Sequence, residues 1–124
     1  MSIESELIGV LKQYKQGSIT VYPFEVPDSD KAKEAIAFEH LSSRVDTRYY
    51  NKEKEVRNTL FHVVRVCSSY LELCDDNSAF ESLLNKYIGG SVLNIKITDT
   101  SDHKLQNGFE RLYKVEITHV VNFQ

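Results

Sequence analysis

The chain has 124 residues, 41% hydrophobic and 27% charged, with a formal net charge of -3 and a pI near 5.8. That length suffices for one core without metal or disulfide support, and the composition excludes a disordered or fibrous chain. Acidic and basic residues are interleaved, which argues against sequence-specific nucleic acid as a partner, and no apolar run reaches the roughly 20 residues that span a bilayer.

In chain order, Ile3, Leu7, Ile8, Val10, Leu11 and Tyr14 recur at helical spacing, which predicts an amphipathic helix over 3–15. Ser2 is placed to cap it, Glu4 and Glu6 suit the positive end of its dipole, and Gly17 is the natural stop. The start Met-Ser-Ile-Glu-Ser-Glu lacks the features of a signal peptide, so the chain is expected to stay in the cytoplasm where it is made. Ile19-Thr-Val21-Tyr22 reads as a short strand halted by Pro23, at an edge because proline has no ladder donor. Residues 24–35 read as an exposed loop with one helical turn at 31–34, and 36–41 as a second strand.

Residues 42–55 form a polar segment longer than the usual hairpin connection of about 2–5 residues. Arg44, Asp46, Arg48, Lys52 and, just beyond, Arg57 surround the aromatic pair Tyr49-Tyr50. Arginine and tyrosine are enriched where proteins grip one another, so these seven residues are the candidate subunit or partner interface. The competing reading is a solvated hairpin tip.

Residues 56–67 are apolar on both parities, interrupted by His62 and Arg65, as in a central strand covered on both faces. Cys67 ends this run, and with Cys74 it makes the chain's two cysteines. Seven apart and without a CxxC pattern, they read as reduced structural thiols. Ser78-Ala-Phe-Glu81 reads as a capping box opening a helix that ends at Gly89-Gly90, with the acidic pair Asp75-Asp76 before it. Leu93, Ile95 and Ile97 alternate in a fourth strand over 92–98, and 99–108 read as a polar turn region.

The last strand, 109–123, places Phe109, Tyr113, Val115, Ile117, Val121 and Phe123 on one parity and Glu110, Lys114, Glu116, Thr118 and Asn122 on the other. Arg111 and His119 interrupt its apolar side. The expected order is α-β-β-β-α-β-β, a single α+β domain over 1–124, with a mostly antiparallel sheet of about five strands flanked by two helices.

No phosphate-loop glycine spacing and no zinc-type histidine pairing occurs, so neither a cofactor nor a metal is expected. RNP and KH signatures are absent as well. His40, His62 and His119 fall on expected strands and could meet Cys67 or Glu39, which would make a small Cys/His hydrolase if the side chains shared a face.

The element order is similar to that of the tail-completion or tail-terminator proteins of long-tailed bacteriophages. The features that carry the resemblance start with an N-terminal helix followed by Ile19-Thr-Val21-Tyr22-Pro23 and a loop. A strand then runs into Arg44 and the polar excursion, and a long central strand follows. After it come a helix beyond Asp75-Asp76 and an Asp-rich loop feeding an alternating C-terminal strand. The resemblance covers nearly the whole chain as element order. It implies a non-catalytic virion protein forming a homo-hexameric ring on the end of the tail tube, where it stops tube polymerisation and meets the head connector. Its implied partners are itself, the tail tube protein and the head-completion or connector protein. Its implied location is the virion tail, reached from the host cytoplasm. The alternatives are another neck or baseplate adaptor, a host-encoded interaction domain, and the small hydrolase.

Overall fold

A computed structural model describes residues 2–27, 34–46 and 53–123 of the chain. Five strands form one mixed sheet in the spatial order β1-β2-β3-β5-β4. They are β1 (Thr20–Pro23), β2 (Ala35–Asp46), β3 (Lys54–Cys67), β4 (Val92–Leu105) and β5 (Gly108–Asn122). Three helices, α1 (Ile3–Leu11), α2 (Tyr70–Asp75) and α3 (Asn77–Asn85), complete an α+β architecture.

Alternation along β3 and β5 decides which face is covered. Val63 stands opposite Tyr113, Phe61 opposite Val115 and Thr59 opposite Ile117. These side chains meet Leu7, Val10, Leu11 and Tyr14 of the N-terminal segment and Phe80 and Leu84 of α3 in one core. Phe80 is central to it, edge-on to Tyr14 with ring centroids 5.2 Å apart and tilted against Tyr113 at 4.9 Å. Such aromatic pairs each add about 0.5–1.5 kcal/mol beyond their buried area. The opposite face carries a smaller apolar cluster, Val26 packed on Ala35, Ala37 and Val66.

Several boundaries differ from the sequence expectation, each for a physical reason. Helix α1 stops at Leu11 rather than continuing to residue 15, and Tyr14–Gly17 form a 3₁₀ turn. Lys15 and Gln16 there have φ of 49° and 59°, and the Lys15 ammonium bridges Glu34 at 2.7 Å and Asp76 at 2.8 Å. Those ion pairs hold the turn in a conformation that L-residues resist. Strand β1 is an edge as expected, but it pairs parallel to β2, and the connection between them lays Val26 on the helix-free face.

Strand β2 runs on to Asp46 and β3 begins at Lys54, so the described ends of the expected loop over 42–55 are strand, with 42–46 paired to 56–60 as a hairpin arm. Residues 42–44 are all exposed, which removes the alternating signal while leaving the backbone ladder intact. A register shift between His40 and Ser42 marks a bulge at Leu41. The proposed helical turn at 31–34 lies almost wholly outside the described residues.

Strand β4 likewise continues to Leu105, making most of 99–108 strand instead of turn and leaving a tight connection at Gln106-Asn107 before Gly108. Register shifts near Leu93 and Thr98 change its phase, so Val92 and Ile95 are buried while Leu93 is exposed. Helix α2 had no sequence expectation, and α3 follows it with Asp76 as N-cap. The expected capping box is not formed, because Glu81 instead accepts a hydrogen bond from the Asn77 side chain.

Candidate functional site

The helix face of the sheet changes character along the strands. Going down β5, the buried run Tyr113, Val115, Ile117 gives way to His119; on β3, Phe61 gives way to Thr59, Arg57 and Glu55. The helices cover the apolar part only. Beyond it a cavity of about 500 Å³ opens between the first turn of α1, the Gly90-Ser91 turn and this polar end.

Most polar side chains at the cavity have a partner. His119 Nε2 lies 2.7 Å from the Thr59 hydroxyl, which lies 2.9 Å from that of Ser43. His40 Nδ1 contacts the Glu4 carboxylate at 2.9 Å, and Arg57 is paired with buried Glu55. The Glu6 carboxylate accepts from the Ser91 backbone N–H at 2.9 Å and from its hydroxyl at 2.8 Å. Burial, and then the nearby Arg57 cation, hold the His119 pKa below the usual imidazole value, so His119 is neutral at pH 7. This is a satisfied polar floor, suited to hydrogen bonding and to anchoring α1 rather than to activating a nucleophile.

Parity separates the residues that a hydrolase would need together. His40 and His119 share the cavity, but His62 stands opposite Glu39 on the other face. Cys67 is at the far end of β3, opposite Phe109, ten residues along β5 from His119 and so about 30 Å away. Its buried thiol donates to Glu72 at 2.9 Å, and burial, reinforced by that carboxylate, raises its pKa, which keeps it a neutral thiol. Among the described residues, no three His, Cys, Asp or Glu side chains gather closely enough to hold a metal ion.

The three described candidate interface residues fall on the hairpin arm. Arg44 and Asp46 lie on β2, opposite Asn58 and Val56, on the helix-free face; Arg57 lies on β3 beside His119, on the helix face. Arg48, Tyr49, Tyr50 and Lys52 lie outside the described residues. Thus Arg57 is drawn into the cavity, while Arg44 is exposed on the other side.

A second polar centre went unnoticed in the sequence. Arg65, 1% exposed, donates from Nη1 to the Tyr14 hydroxyl at 2.7 Å and from Nη2 to the Leu73 carbonyl. Its guanidinium also lies over the Tyr14 and Phe80 rings. Its cross-strand neighbour Arg111 is gripped by both oxygens of Asp102, at 2.6 and 2.9 Å, and reaches the same Leu73 carbonyl. Two guanidiniums thereby satisfy the C-terminal end of α2, where the chain turns directly into α3. An arginine inside an otherwise apolar strand was the available signal.

No protein-family model matches the sequence, and no curated protein matches it. The fold is similar to that of a chain in the virion of a native gene transfer agent particle, with a TM-score of 0.58 at 10% sequence identity. The superposition covers 96% of this chain and 94% of that one. At that identity the likeness is one of fold.

Proposed function

We propose that this protein is a structural component of a phage-like virion, acting as a tail terminator. It forms a homo-hexameric ring on the end of the tail tube, stops tube growth and joins the tail to the head connector. The observation that carries the reading is the end-to-end likeness to a chain of a virion particle, which agrees with the element order of the tail-completion proteins. The role is geometric rather than catalytic. A head-to-tail contact that closes into a ring occupies the growing end of the tube. The stretch from Arg44 to Arg57, with Asp46, Arg48, Tyr49, Tyr50 and Lys52, is the proposed contact to a neighbouring subunit or to the tube.

The test is to mix the purified protein with a polymerising tail tube protein and view the products by negative-stain microscopy. Tubes of limited length, each ending in a ring of six-fold appearance, are expected. Tubes that lengthen as though the protein were not there would sink the terminator role. A ring bound to another virion part would instead indicate a neck or baseplate adaptor. Replacing Arg48 and Tyr49 together by alanine should abolish tube capping, and unchanged capping would remove the hairpin from the interface.

A further inference from the structure

Two exposed apolar steps lie at opposite ends of the molecule and carry opposite charge. On α2, Leu71 is 70% exposed, and Asp75, four residues on, shares its helix face. At the α3–β4 connection, Gly89 and Val92 form an antiparallel bridge, closed by a 2.9 Å hydrogen bond from the Val92 N–H to the Gly89 carbonyl. Ile88 and Leu93 flank that bridge in the chain, and the two are 78% and 51% exposed. Lys86, at the C-cap of α3, precedes Ile88 by two residues and is exposed. Neither Asp75 nor Lys86 has an ion-pair partner among the described residues.

The distance between the steps follows from β4. The Tyr70 hydroxyl, beside Leu71, bonds Asp102 at 2.9 Å, and Leu93 lies nine residues earlier on the same strand. At about 3.3 Å per residue the two steps are roughly 30 Å apart. One molecule therefore cannot bring them together, but two can.

We infer that the Leu71–Asp75 step of one copy seats on the Ile88–Leu93 step of a second copy, with Asp75 pairing Lys86. The contact joins two different surfaces, so it is head-to-tail and repeats around a closed assembly or along an open one. An apolar centre with a charged rim is the usual anatomy of such a surface, and the opposite charges fix which end meets which. Burying these side chains also explains why three large aliphatic residues stand in solvent at two compact sites. Closure of the contact into a ring rests on the tail-terminator reading; the contact itself does not.

The experiment is sedimentation equilibrium of the full chain over a concentration series at low salt, using Asp75→Lys, Lys86→Glu and the double variant. Both substitutions are on exposed side chains, and circular dichroism with thermal unfolding checks that the fold is kept. Each single variant should self-associate at least tenfold more weakly than the wild type, and the double variant should return to within about threefold of it. Leu93→Ser should weaken association whatever the charges. Single variants that associate like the wild type, or a double variant as weak as the singles, would overturn the pairing. So would a wild type that stays monomeric throughout, and capping of tubes by such a monomer would leave the tube-end reading standing. Association without any tube capping would do the reverse.

Discussion

The Glu6 carboxylate clasps Ser91, 85 positions away in the chain, through both the backbone N–H and the hydroxyl. Gly90 makes this clasp possible. Its φ is +53°, in the left-handed region, and a Cβ there would overlap the Glu6 carboxylate. The clasp ties the first turn of α1 to the start of β4, elements that share no sequence neighbourhood.

Gly90→Ala should therefore lose about 1–3 kcal/mol, from backbone strain together with a displaced carboxylate. Glu6→Gln keeps the size but weakens both bonds, and should lose about 1 kcal/mol. Urea unfolding midpoints at constant slope measure both. A Gly90→Ala midpoint equal to that of the wild type would contradict the clasp.

Arg65 is the largest fully buried side chain, and its Nη1 depends on the Tyr14 hydroxyl. Tyr14→Phe should cost about 1–3 kcal/mol, because it strands a buried charged donor while changing the shape little. Arg65→Ala should cost about 3–5 kcal/mol through lost packing, the loss of its bond to the Tyr14 hydroxyl and a Leu73 carbonyl left to Arg111 alone. If both variants unfold together with the wild type, Arg65 is not the pivot of the helix layer. In the double variant the two losses should fall short of their sum, since the partners form one unit.

The pH dependence of stability follows from His119. Its folded pKa is depressed, so the unfolded chain takes up the proton first as pH falls through the ordinary imidazole range near 6.5. Stability that is present above that range is lost on acidification, through the depressed folded pKa. Replacing His119 by Asn should flatten the decline between pH 7 and 5, as read by thermal unfolding across buffers. A wild type and variant of equal slope would show that His119 does not drive it.

The two thiols should differ sharply in reactivity. Cys67 is buried and held protonated, whereas Cys74 is exposed. Under native conditions at pH 8, iodoacetamide should modify Cys74 first, with Cys67 reacting only as the chain unfolds. Mass spectrometry of the time course separates the two. Rapid native labelling of Cys67 would revive a nucleophilic role.

Gln16 offers a stabilising change. With φ of 59° and an exposed side chain, it holds a conformation that glycine adopts freely. Gln16→Gly should be neutral or raise stability by up to about 1 kcal/mol, the relieved strain offsetting the greater freedom of the unfolded chain. A loss above that size would mean the turn is not strained.

Much of the fold was legible where one face is buried and the other wet. The alternation of Tyr113, Val115 and Ile117 on β5 and the helical spacing of Leu7, Val10 and Leu11 correspond to the buried faces observed. The extensions of β2 beyond Leu41 and of β4 beyond Thr98 were not legible, because strands exposed on both sides are held by backbone pairing that no side-chain pattern records. Helix α2 was missed for a related reason. Six residues carry too short a period, and α2 is held by Arg65 and Arg111 reaching its Leu73 carbonyl from distant strands.

The candidate site divides along the same line. Residue type drew attention to Arg44, Asp46 and Arg57 as a polar group in one stretch, yet the pleat sends Arg57 to the cavity and the other two to the opposite face. Local chemistry determined the α+β class, the sites of most elements and the buried character of each core face, since these depend on neighbours two to four residues apart. Tertiary contacts decided the rest: which histidines share a cavity, that β1 runs parallel to β2, and that Glu6 holds Ser91. The first depends on strand register, where a slip of one residue would send every side chain to the other face, and the other two on contacts between segments distant in the chain.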